Sequence, residues 1–146
     1  MKSEPNMYSI QDLQREKQTI WNGVRNYQAL NFLRRMKKND LAFFYHSNTK
    51  SPGIVGLMRV VQSDLLDPTQ FDANSKYYDA SSIPGKPRWQ TVTVEFLKKF
   101  PIMISLAQLK AEFDGDQILV VRKGNRLPVM PIADGVAEKI LSISPD

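Results

Sequence analysis

The chain has 146 residues, 42% hydrophobic and 24% charged, with 20 Lys and Arg against 15 Asp and Glu for a net charge of +5. This is the composition of one folded domain, expected to span 1–146, with a modest bias toward polyanions. The lack of cysteine excludes disulfides and thiolate metal centres, and His46 as the single histidine excludes a multi-histidine metal site within one chain.

No apolar run approaches the ~20 residues that cross a bilayer, so no membrane partner is expected. Met1-Lys2-Ser3-Glu4-Pro5 lacks the apolar core of a signal peptide, so the expected setting is the cytoplasm, or the nucleus in a eukaryote. Ser9 and Asp12 predict a capped short helix, Ile10–Glu16. A second helix is expected over 26–38, with Asn26 as its cap. Ala29, Phe32, Leu33 and Met36 form its apolar stripe, and Asn39-Asp40 its terminating turn. An aromatic strand follows over 41–47, with Phe44 and His46 on one face and Tyr45 and Ser47 on the other. The run 53–62 is apolar on both faces, as suits the wall of a closed or covered sheet. Residues 67–88 form a long polar segment of the kind that often carries function. In 90–100, Val92, Val94 and Phe96 alternate with Thr91, Thr93 and Glu95, and Trp89 is in phase with the threonines. Ser105 and Gln108 predict a helix through Phe113. Residues 117–122 and 126–130 suggest a closing hairpin, and 131–141 a last helix. Strands broken by short helices, without βαβ alternation, indicate an α+β fold built on a small mixed barrel.

The chemistry concentrates in two places. Trp21-Asn22-Gly23-Val24-Arg25-Asn26-Tyr27-Gln28-Ala29 sets aromatics, amides and an arginine beside a helix start. Phe43-Phe44-Tyr45-His46-Ser47-Asn48 repeats that mixture. Flat rings with planar hydrogen-bonding groups suit a planar heterocycle better than a metal or a sugar, and the pair reads as a binding pocket. Each residue also has a plainer reading. Trp21 before a glycine turn is a common core residue, Asn26 a simple cap, and Arg25 a surface ion-pair partner. Trp89 has the stronger claim to be a stacking wall. His46 and Ser47 are neighbours on one strand and point apart, so they cannot form a nucleophile–base couple. Asp114-Gly115-Asp116 reads as a turn. Neither a phosphate-binding glycine loop nor a nucleophile elbow is present, so no enzyme and no cofactor are expected.

These motifs resemble those of the EVE domain family, within the wider PUA-like fold. The resemblance runs from Met1-Lys2-Ser3-Glu4-Pro5 through both clusters to Pro52-Gly53-Ile54-Val55-Gly56-Leu57. It continues through Asp67-Pro68-Thr69-Gln70-Phe71-Asp72, Tyr77-Tyr78-Asp79 and Pro87-Arg88-Trp89, and closes at Arg126-Leu127-Pro128-Val129-Met130-Pro131. It implies a PUA-like β-pseudobarrel with flanking short helices, and a reader of modified bases in DNA or RNA without catalysis of its own. It assigns the pocket to Lys2, Ser3, Trp21, Val24, Arg25, Asn26, Tyr45, His46, Ser47 and Trp89, with Met130 and Pro131 at the edge.

The expected arrangement is a base extruded between Trp21 and Trp89, its edge read by Asn26 and Ser47. Arg25, Arg34, Arg35, Lys86 and Arg88 are expected to hold phosphate. The alternatives are a pocket for a free small heterocycle and, below it, a hydrolase using His46.

Overall fold

The structure, a computed structural model, describes residues 1–144. Five strands form one mixed sheet in the order β1 (Lys2–Ser3), β3 (Leu41–His46), β4 (Gly53–Leu66), β5 (Gln90–Ser105) and β2 (Gln18–Ile20). The β1–β3 pair is parallel and the other pairs are antiparallel. Helices α1 (Ile10–Glu16), α2 (Tyr27–Arg35), α3 (Leu106–Glu112) and α4 (Asp134–Ile143) cover it, so the α+β expectation holds.

Alternation along β3 divides the interior. Phe44 joins Ile10 and Leu13 of α1, Ala29 and Leu33 of α2, Met58, Val92 and Val94 in one core. Phe43 and Tyr45 join Ile54, Phe100, Leu109, Phe113 and Ile140 in a second. The first half of strand β4 supplies side chains to both cores, which explains why residues 53–58 have no polar face. α1 starts at a reciprocal cap: Ser9 Oγ accepts from the Asp12 N–H, and Asp12 Oδ2 from the Ser9 N–H at 2.8 Å. Its first residue, Ile10, presses onto the sheet at Gly56, where a Cβ would stand 2.7 Å from Ile10 Cδ1 and 2.5 Å from the Lys98 carbonyl oxygen.

Several boundaries differ from expectation. α2 ends at Arg35 because Met36 turns extended, and Asp40 Oδ2 then accepts from the Lys37 N–H at 2.8 Å. β4 and β5 run past the expected 62 and 100, their register absorbed by bulges. Pro101 lies in the unpaired stretch between the Gly56–Lys99 and Ile54–Ile104 pairings, where its missing N–H costs no ladder bond. The hairpin expected over 117–130 does not form. The Val121, Arg122 and Asn125 N–H groups bond three residues back, the first two within a 3-10 turn (Leu119–Val121). Pro128 and Pro131 remove donors from the second arm. The Pro128 carbonyl instead accepts from the Lys2 N–H at 2.8 Å, so this segment flanks β1. Asp114 Oδ1 accepts from the Asp116 and Gln117 N–H groups, a side-chain-closed turn. No helix among the described residues is long and apolar enough to cross a membrane.

Candidate functional site

The sheet has two edges, β1 and β2, and they meet across a cleft of about 800 Å³. Lys2 and Ser3 line it from one edge, Thr19 and Ile20 from the other. The 21–25 loop, Glu4, Met7, Tyr8, Ser47, Asn48, Tyr77, Asn125, Arg126 and Pro128 complete the wall. The volume suits a small planar group.

Trp21 forms the inner wall. It is 7% exposed, with its ring edge-on to Phe44 at 5.4 Å. Its N–H donates to the Val92 carbonyl at 2.9 Å, and its carbonyl accepts from Thr91 Oγ1. Among the described residues its indole N–H finds no acceptor, while no buried side-chain nitrogen or oxygen goes unpartnered, so this donor is open to solvent on a residue that lines the cleft. Both plain and functional readings of Trp21 thus describe part of it: the ring packs, the N–H is offered. Lys2 and Arg126 make no ion pair among the described residues, and burial lowers the Lys2 pKa below its ordinary value. Arg126 gives the cleft positive charge on a wall that also carries the Glu4 carboxylate, which accepts from Asn48 Nδ2 at 2.7 Å; the Lys2 ammonium lies 5.9 Å from the centroid of the Tyr45 ring.

The loop that carries Trp21 is held from below by Asp67, 1% exposed. Asp67 Oδ2 accepts from the Gly23 N–H at 2.7 Å and from Arg25 at 3.0 Å; Oδ1 accepts from the N–H and hydroxyl of Thr69. Arg25 is therefore not free to hold phosphate. Its five N–H groups meet the Tyr77 carbonyl twice, the Val24 carbonyl, Asp67 and Thr69. It ties the 67–79 segment to the cleft loop and sets Tyr77 beside Gly23. Gly23 has φ +87°, and a Cβ there would stand 2.6 Å from the Tyr77 ring.

Trp89 does not oppose Trp21 across this cleft. It is 5% exposed and absent from the cleft wall. The ring stacks on Tyr27 at 5.0 Å, the Arg25 guanidinium lies 5.1 Å from its centroid, and Nε1–H donates to Asp79 Oδ2 at 2.8 Å. That bond holds the Asp79 carboxyl below its usual pKa. Strand phase placed the indole away from the valines, but the 67–88 segment and the start of α2 cover that face. Gln70, fully buried, fixes the segment: Nε2 donates to the Asp67 and Trp89 carbonyls, and Oε1 accepts from Ser82 and from the Arg88 and Trp89 N–H groups.

The other expected residues divide. Lys2, Ser3, Val24 and Ser47 line the cleft. Asn26 caps α2, its Oδ1 accepting from the Ala29 N–H at 2.9 Å. His46 Nε2 accepts from the Ile10 N–H at 3.1 Å, satisfying a free donor at the start of α1. Burial lowers its pKa below the ordinary value. Tyr45, Met130, Pro131 and Arg35, with Lys2, line a second groove of about 710 Å³ between β3 and α4. Arg34 donates to Gln90 at 2.7 Å; Lys86 and Arg88 are exposed. The sequence motifs contain Asp67, Gln70, Tyr77 and Arg126, but nothing in them places these four at the cleft or beneath it. Asp67 announces itself as the cap of the 3-10 turn Pro68–Phe71, but no periodicity identifies the partners of Gln70 or the position of Tyr77.

Comparison with known proteins agrees with this architecture. The EVE domain model matches residues 1–143. Thymocyte nuclear protein 1 of Rattus norvegicus is 42% identical over 98% of this chain and 71% of its own length, and the Homo sapiens protein 40% identical over 98% and 72%. Among solved structures, protein PSPTO5229 of Pseudomonas syringae superposes with a TM-score of 0.94 at 43% identity, covering 98% of this chain and 96% of that one. Human THYN1 protein in complex with 5-methylcytosine-containing DNA superposes with a TM-score of 0.91 at 38% identity, covering 100% and 96%. On sequence and fold together, the chain belongs to the EVE domain family.

Proposed function

We propose that the chain is a non-catalytic module that binds DNA through a modified base, 5-methylcytosine or a close analogue, received in the cleft between β1 and β2. The observation that carries the reading is the cleft itself: it is lined by Trp21, whose indole N–H has no protein acceptor, and by Arg126, which makes no ion pair among the described residues. The solved relative with 5-methylcytosine-containing DNA supports the ligand class. An extruded base costs a few kcal/mol of lost stacking and pairing, which stacking on Tyr77 on the ~1–3 kcal/mol scale and a hydrogen bond from the Trp21 N–H help to offset. Phosphate contacts fall to Lys2, Arg126, Arg34, Lys86 and Arg88, not to Arg25. His46, engaged as an acceptor at α1, has no place in a hydrolytic step.

Fluorescence anisotropy on duplexes that differ at one central cytosine tests the reading. The methylated duplex should bind more tightly, and affinity should fall steeply with salt as counterions are released. Arg126→Ala should reduce the salt slope by about 1. Equal affinity for both duplexes, or salt-insensitive binding of free 5-methylcytosine, would overturn it.

A further inference from the structure

Tyr27 is 60% exposed, the second residue beyond the cleft-lining Arg25. An exposed aromatic is usually mobile, but this one is fixed. Trp89 stacks against it at 5.0 Å with an interplanar angle of 24°, and Trp89 is buried and held by Asp79. One ring face is thus seated on a rigid indole while the residue still presents most of its surface outward. Arg88 stands beside it, with one guanidinium nitrogen 3.4 Å from the Tyr27 hydroxyl. The Arg88 backbone is anchored by Gln70 and Ser82, yet among the described residues its guanidinium makes no ion pair. The Asp79 carboxylate feels this charge without forming an ion pair with it. A preorganised ring with an exposed guanidinium beside it matches one nucleotide: the ring takes the base or sugar face, the guanidinium the phosphate.

We propose that Tyr27 and Arg88 form a stacking step for the nucleotide adjacent to the one held in the cleft. This rests on the reading of the cleft as a base pocket. The step is blind to methylation, because a ring face carries no hydrogen-bond code. It contributes affinity and positions the strand; the cleft discriminates.

The test measures Tyr27→Ala and Tyr27→Phe against duplexes with and without the methylated cytosine, with 2-aminopurine next to that cytosine as a stacking probe. Tyr27→Ala should weaken binding to both duplexes about tenfold, the stacking scale, and leave their ratio unchanged. Tyr27→Phe should keep the affinity. Aminopurine fluorescence should be quenched in the wild-type complex and recover in the alanine variant. Near-UV circular dichroism checks that Trp89 keeps its environment. If the wild type prefers methylated DNA but Tyr27→Ala binds within twofold with the probe unchanged, the stacking step is refuted and the cleft reading stands. If the wild type has no methyl preference, the cleft reading fails, and with it a step defined by the cleft's occupant.

Discussion

Replacing Arg25 with alanine separates two roles that a basic residue beside a nucleic-acid cleft can have. The structure makes it a clamp, with five hydrogen bonds inside the protein. Removing one partner of a buried ion pair costs about 3–5 kcal/mol. Here the Arg25 side chain is 21% exposed and Asp67 keeps the Gly23 and Thr69 donors, so the lower end applies, ~3 kcal/mol. Unfolding entropy near ~2.1 cal/mol/K per residue gives roughly 0.3 kcal/mol/K for the chain, so Tm should fall by ~10 °C. Arg25→Lys keeps the charge but loses the planar fork and should recover only about a third of the loss. Thermal melts by circular dichroism, with urea unfolding to check that m is constant, measure this directly. The clamp also predicts that DNA bound by the folded variant keeps the wild-type salt slope. A variant within ~0.5 kcal/mol of wild type that loses about 1 from that slope would show Arg25 to be a phosphate ligand and refute the reasoning.

Two further outcomes follow from the same geometry. Gly23→Ala places a Cβ at φ +87° against the Tyr77 ring; it should cost about 1–3 kcal/mol in urea unfolding and weaken methylated-DNA binding, and a variant with unchanged stability would contradict the close packing. His46 is harder to protonate folded than unfolded, because burial lowers its pKa from the ordinary 6.5. As pH falls below 6.5 the unfolded chain takes up the proton first, so this contribution to stability is whole above that value and is lost as pH falls toward the folded pKa. Urea midpoints between about pH 7.5 and pH 5 should drop more for wild type than for His46→Gln, which keeps an acceptor for the Ile10 N–H; parallel curves would exclude the effect.

Local signals were legible in the sequence. The Ser9–Asp12 cap placed α1 at its observed bounds, and alternation put Phe44 and Tyr45 on opposite faces of β3. The register of the long β4–β5 pair was not legible, because bulges shift it without a periodic mark. The segment 117–130 misled for a related reason: apolar residues favoured a strand, while successive i to i+3 bonds and prolines favoured turns. At the site, amino-acid type located the cleft loop but not its partners. Trp21 and Trp89 look alike in sequence, yet one lines the cleft with its N–H left without a protein acceptor and the other spends it on Asp79. Arg25 looks like a phosphate ligand until its acceptors, drawn from 67–77, are seen in space. Such choices are tertiary and leave no local pattern.

The seam between β1 and β2 has a consequence for how occupancy can be observed. Its rim joins Lys2 to the Pro128 carbonyl and Ser3 to the Ser47 N–H, parts of the chain that meet only when almost everything between them has folded. Whatever sits there is therefore a keystone: by mass action it stabilises the entire molecule by RT ln(1 + [L]/Kd), and the melting temperature rises with it. A plain heat ramp with oligonucleotides that differ only in methylation therefore ranks how tightly the folded molecule holds each of them.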